Sequence, residues 1–161
     1  MRISRNFTVD DWKSIDFSSE TGWSQAVGMF KDRLETRYIE HIRQLPPMKT
    51  SGFAVLALDC VLIETLENFK RGTNITPVGK GMAYFSSFLT SSKFSEHFTP
   101  ERARIFYKQI RCGLLRQSEA GEMSRIKRGG SLPLVRDTAD QKSLILNKET
   151  FHQLLEDEIE N

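Results

Sequence analysis

Two arginines in the stretch FYKQIRCGLLRQSEAG, Arg111 and Arg116, are the residues whose type and spacing best fit a chemical task. A guanidinium stays charged under any ordinary condition and presents its donors as a planar fork, which suits it to grip a carboxylate or a phosphate. Two earlier carboxylates can serve such an arginine: Asp59, set among Val55, Leu56, Leu62, Ile63 and Leu66, and Glu64, one and a half helical turns further on. A carboxylate in apolar surroundings needs a partner, and Arg111 with Asp59 is the pairing this pattern favours. Two readings of the pair stay open: an ion pair that locks two helices together, and an arginine held in place to bind phosphate. Other chemistry lacks its residues. There is no Gly-rich phosphate loop, no His or Cys metal-ligand spacing and no Ser-His-Asp arrangement, and His41, His97 and His152 fall one per segment, so no metal and no cofactor is expected.

The element that positions both arginines is sharply delimited. Thr99 is a good N-cap, Pro100 suits the first helical position, Glu101 favours the positive helix end and Gly121 can close the helix. With Phe106 at the centre of its apolar face, Ala103, Ile110, Gly113 and Leu114 point inward, and Arg111 and Arg116 lie at opposite margins of the outer arc. Cys112 and Leu115 sit between them, apolar yet facing away from the core. A partner helix of a second copy, or a fifth element such as the C-terminal helix, would cover them.

Three helices precede this one. The first runs from Ser18 with Trp23, Val27, Phe30, Leu34, Tyr38, Ile42 and Leu45 at steps of three and four, and Pro46-Pro47 ends it. The second, Phe53 to Arg71, is apolar on every side in its first half except at Asp59, the pattern of a central helix. The third covers Lys80 to Ser92 with Met82, Phe85, Phe88 and Leu89 inward. Upstream, Phe7, Val9, Trp12, Ile15 and Phe17 can pack as an arm or short helix. Beyond Gly121 the period shortens towards two in Ser124 to Arg128, Leu132 to Arg136 and Ser143 to Asn147, which predicts a small hairpin or three-strand appendage; Asn147 then caps a last helix with Phe151, Leu154, Leu155 and Ile159 in one stripe. The fold class is mainly α: a four-helix bundle over about 20–121, a β appendage over about 122–147 and a C-terminal helix over 148–161, all in one domain of residues 1–161.

Composition sets the outer bounds. A chain of 161 residues buries about two thirds of its unfolded surface without staples. A net charge of +2 says little about partners, so any nucleic-acid contact must come from a local patch, and Arg125, Lys127 and Arg128, with Arg136 across the turn, form the candidate. That patch reads either as a solvated hairpin face or as a groove for an RNA backbone. Cys60 and Cys112 lie in apolar helical context, as thiols of a reducing compartment do, and neither a signal-peptide core nor a membrane-length apolar run is present. A cytoplasmic protein with no membrane contact is expected.

The motif on the fourth helix resembles the signature of the HEPN superfamily, in which an arginine on the final bundle helix is followed, after four to six residues, by a histidine. Arg111 matches the arginine, and Arg116, with four residues intervening, stands at the histidine's position. Many HEPN proteins also carry an acidic residue on an earlier helix that supports the motif arginine, a place that Asp59 or Glu64 would fill. The resemblance covers roughly residues 20–121. It implies a homodimer joining two copies of the motif in one cleft, metal-independent RNA cleavage in active members, and a setting in bacterial toxin, defence or RNA-processing systems with an antitoxin or regulatory protein as partner. In such members the histidine would assist attack of a ribose 2′-hydroxyl on the adjacent phosphate while the arginine stabilises the developing charge. Arg116 can hold a phosphate but cannot take a proton. Three explanations follow: a catalysis-deficient protein that binds RNA or a partner, an enzyme with another base such as His97 or Tyr107, or a histidine replaced to permit expression of a toxic protein.

Overall fold

The computed structural model describes residues 1–45, 51–121, 124–129 and 132–160, and it is mainly helical with a small three-stranded sheet and a C-terminal helix. Pro46-Pro47, which the sequence reads as the end of the first helix, lies outside the described residues. The chain divides into two compact units, Met1–Leu45 with Glu160, and Pro46–Ile159.

In the first unit Thr8 caps α1 (Val9–Lys13) in a reciprocal box with Asp11, and Ser19 caps α2 (Glu20–Leu34) by accepting from the Gly22 amide. A π-helical turn (Glu35–Ile39) carries α2 on into α3 (Glu40–Gln44). The expected inward stripe is displaced: Gly22, Ala26 and Met29 are buried, whereas Trp23 and Val27 are exposed. The cause is local. A Cβ on Gly22 would lie 1.8 Å from the Asp16 carbonyl oxygen, so the turn before α2 rests on Gly22 and fixes the rotation of the helix. Ile15, Ala26 and Met29 then pack together, with Phe7 against them.

The second unit is built on α4 (Ser51–Lys70), where Leu56, Cys60, Leu62 and Ile63 are fully buried. Next come α5 (Gly81–Ser91), a 3-10 turn (Lys93–Glu96), and one continuous helix made of α6 (Pro100–Ile105), a π turn (Phe106–Arg111) and α7 (Cys112–Gln117). Thr99 caps α6 by accepting from the Arg102 amide, as its sequence predicts. The far end differs from the expected Gly121: α7 stops at Gln117, and Ser118 takes the left-handed conformation (φ 57°). From there the chain doubles back over the helix it has just left. The Gly121 amide donates to the Gln109 carbonyl (2.7 Å), and Gly113 leaves room for the Glu119 carbonyl.

Three strands follow, β1 (Arg125–Lys127), β2 (Val135–Asp137) and β3 (Leu144–Asn147), in the order β1-β3-β2. β2 and β3 form the antiparallel hairpin that their spacing predicts, and β1 adds parallel to the other edge of β3. Leu144 and Leu146 are fully buried, and Asn147 ends the sheet and caps α8 (Lys148–Glu160) by accepting from the Glu149 amide. Phe151 of α8 stacks on Phe106 (5.3 Å between centroids, planes 8° apart) and packs against Phe94 at 4.8 Å. The sheet and α8 therefore complete the core of this unit.

A methyl group at position 113 would sit 2.4 Å from the Glu119 carbonyl oxygen, whereas one at 121 would meet nothing closer than 3.4 Å. Gly113→Ala is therefore expected to cost about 1–3 kcal/mol, as overpacking does, and Gly121→Ala much less. Urea unfolding checks both: the Gly113→Ala midpoint should drop with the slope unchanged.

Candidate functional site

Arg111 ends the π turn of the last long helix, and that turn decides where it points. A π turn takes about one residue more than an α turn, which rotates the residues after it by roughly 100°. Arg111 is thereby carried from the outer margin onto the side facing α4 and α5. Its Nη2 donates to Glu64 Oε2 at 2.9 Å, and its guanidinium lies 5.5 Å from the Tyr107 ring centroid and 5.7 Å from that of Phe85. Both partners stay reachable, with side chains 19% and 27% exposed. Burial acts to lower the arginine's pKa, but the hydrogen bond and charge of Glu64 outweigh it and raise it. The Arg111 Nε is buried with no hydrogen-bond partner among the described residues. What the arrangement offers is a fixed cation, aromatic on one side and carboxylate-held on another, with donors left over for an anion.

The pairing of Arg111 with Asp59 favoured by the sequence is not formed. Asp59 and Glu64 are five residues apart, so they leave α4 in directions roughly 140° apart, and the π turn aims Arg111 at Glu64. Asp59, with no exposure at all, instead meets His152 of α8, whose Nδ1 is 2.7 Å from Asp59 Oδ1. The other ring nitrogen faces Glu156 Oε1 at 3.1 Å, and Asp59 Oδ2 is buried without a hydrogen bond among the described residues. Burial pushes the Asp59 carboxyl up against the pull of His152. On His152 burial pushes down, yet Asp59 and then Glu156 outweigh it and hold the imidazole above its ordinary value. The sequence signal was available, since a buried carboxylate without a partner and a His-x3-Glu step beside the Phe151-Leu155 stripe are both legible.

Arg116 and Leu115 are exposed at the end of α7, and no hydrogen bond or ion pair joins Arg116 to Arg111 or Glu64 among the described residues. Of the substitute bases, Tyr107 has its pKa raised by burial and then by Cys112, so the phenol keeps its proton near neutrality. His97 sits in the turn ahead of α6, its carbonyl accepting from Arg102 Nη1 (2.9 Å), and among the described residues no bond joins its ring to the Arg111 cluster. Cys60 and Cys112 are free thiols, and burial holds the Cys60 thiol well above its usual value. Among the described residues no group of three His, Cys, Asp or Glu side chains could hold a metal ion, and no helix is long and apolar enough to cross a membrane.

The basic patch takes definite form on the sheet. Arg125 and Arg136 stand opposite Ile145 from either side, so all three share one cross-strand row, and Lys127 joins the same face two residues along β1. All three cations are exposed. Arg128 is turned away to Glu149 (2.9 Å). The return run after α7 places Ser124, the residue before β1, in hydrogen bond with Gln109, two residues ahead of Arg111.

No protein family, curated protein or solved structure matches the chain.

The His152–Asp59 pair makes stability depend on pH with a definite sign. The folded pair keeps a proton that the unfolded histidine releases near 6.5, so its contribution is complete below that value and is lost as pH rises through the raised folded pKa. Denaturant unfolding at stepped pH should show stability falling above pH 6.5, and His152→Gln should flatten that fall.

Proposed function

We propose that this chain is an HEPN-like protein of a bacterial toxin, defence or RNA-processing system, binding RNA through Arg111 and Arg116 in the cleft of a homodimer. On this reading α4, α5 and the α6–α7 helix, together with the α2–α3 helix, correspond to the four-helix bundle. The observation that carries the reading is the Arg111–Glu64 pair: an arginine on the last long helix, oriented by a carboxylate of the central helix and still reachable from solvent. Exposed Leu115 and Arg116 follow it on the same helix and would meet their copies across a two-fold axis. The Arg125, Lys127 and Arg136 face adds cations for the RNA backbone. With arginine at 116 the imidazole that would serve as base is missing, so metal-independent cleavage is impaired or absent while phosphate binding is retained.

A second reading has the same ion pair as its support. Arg111 locked on Glu64 is also what a purely structural interaction protein would contain.

Fluorescence anisotropy with single-stranded RNA separates the two. Wild type is expected to bind with an affinity that falls steeply with salt, Arg111→Ala and Arg116→Ala each to weaken it, and each to reduce the salt slope by about one. Absence of RNA binding even at low salt, together with a lowered unfolding midpoint for Arg111→Ala, would establish the structural reading instead. Arg116→His is expected to gain cleavage that persists in a metal chelator.

A further inference from the structure

The first unit carries a surface feature that the RNA reading does not use. Trp12 of α1, Phe17 of the turn and Trp23 of α2 form a ladder of rings in edge contact, with centroids 5.5 and 5.2 Å apart and planes at 63° and 71°. These rings are 38%, 40% and 56% exposed, and Val27, one turn beyond Trp23, continues the apolar strip. Placing two tryptophans outside while Ala26 faces inward is the reverse of what burial alone would select. The segments that carry the ladder are acidic: within residues 9–27 Asp10, Asp11, Asp16 and Glu20 are exposed, and Lys13 is the one basic residue there. Hydrogen bonds from Thr8 and Ser18 lower the pKa values of Asp11 and Asp16 respectively.

We infer that this aromatic ladder with its acidic segments is a docking surface for a partner protein's basic segment, one that alternates Lys or Arg with apolar side chains. Tilted neighbouring rings leave niches that suit the slender stem and charged head of such a side chain, where ring faces attract the cation and the carboxylates complete its pairing. A second copy docking through the same patch would bring acid against acid, and an RNA backbone would meet the same repulsion.

The chain's two tryptophans are Trp12 and Trp23, so tryptophan emission reports on this patch directly. Titration with a short peptide alternating lysine and leucine should change the emission saturably, and its counterpart with glutamate for lysine should not. Trp23→Ala, with Trp12 left as reporter, should weaken binding about tenfold, Trp23→Phe should largely restore it, and Asp10→Asn with Glu20→Gln should weaken it about fivefold. The proposal is overturned by an unsaturable response to the lysine peptide, by equal affinity in Trp23→Ala, or by oligouridine RNA producing the saturable change in its place. Sedimentation showing a dimer that Trp23→Ala dissolves would equally overturn it, because the patch would then be a self-contact.

Discussion

The second unit depends on one constraint: α4 is apolar on nearly every side, and it buries a carboxylate in the middle. Asp59 has no exposure, and its neighbours Cys60, Leu62 and Ile63 have none either. Removing the partner of such a charge typically costs about 3–5 kcal/mol, comparable to the net stability of a small domain, so the chain has to deliver a cation to that point. It comes from His152, which requires α8 to lie along α4 in one register. That register is set from both ends. Asn147 stops β3 and caps α8, while Phe151 wedges between Phe94 and Phe106. Sheet, last helix and central helix are thus linked through one buried charge, and the strands cannot be regarded as an addition to a finished bundle.

The two π turns act on the same principle, that one extra residue re-aims everything after it. Between Leu34 and Ile39 five residues complete about one turn, so both stay buried on one side of the helix. Between Phe106 and Arg111 the added residue sends the guanidinium inward to Glu64, leaving Arg104 on the outside paired with Glu101. Straight α geometry would have put Arg104, Lys108 and Arg111 in one solvent-facing line.

This explains what the sequence disclosed and what it hid. The Thr99 cap, the strands near 125, 135 and 145, the Asn147 cap and the inward Phe85, Phe88, Phe106 and Leu114 were legible because caps, period and turn residues are local signals. The three cations of the sheet face are also legible, whereas the sequence does not set Arg128 apart from them, because its separation rests on the distant Glu149. What stayed hidden was everything set by contacts between distant segments. The π turn at 106–111 leaves no mark in the sequence, and without it helical spacing points Arg111 at Asp59 instead of Glu64. Gly22, a small residue on an exposed-looking step, fixes the rotation of α2 through a backbone contact that hydrophobicity does not encode, and Trp23, inward by its spacing, is turned out to solvent.

Two of the acids of α4, Asp59 and Glu64, end up with cations of different character, and the difference bears on how the helix can be used. Asp59 is held inside by an imidazole, a group whose charge can be withdrawn, so that pair is a matter of stability and of pH. Glu64 is held near the surface by a guanidinium, which keeps its charge throughout. A phosphate approaching Arg111 need not displace Glu64, because that carboxylate engages Nη2 and the planar fork carries further donors. Glu64 then acts as a positioning group that keeps the arginine from folding back onto solvent, and the rings of Tyr107 and Phe85 restrict it from the sides. A side chain so restricted loses little further freedom on gripping an anion, and that preorganisation distinguishes Arg111 from an exposed cation such as Arg116.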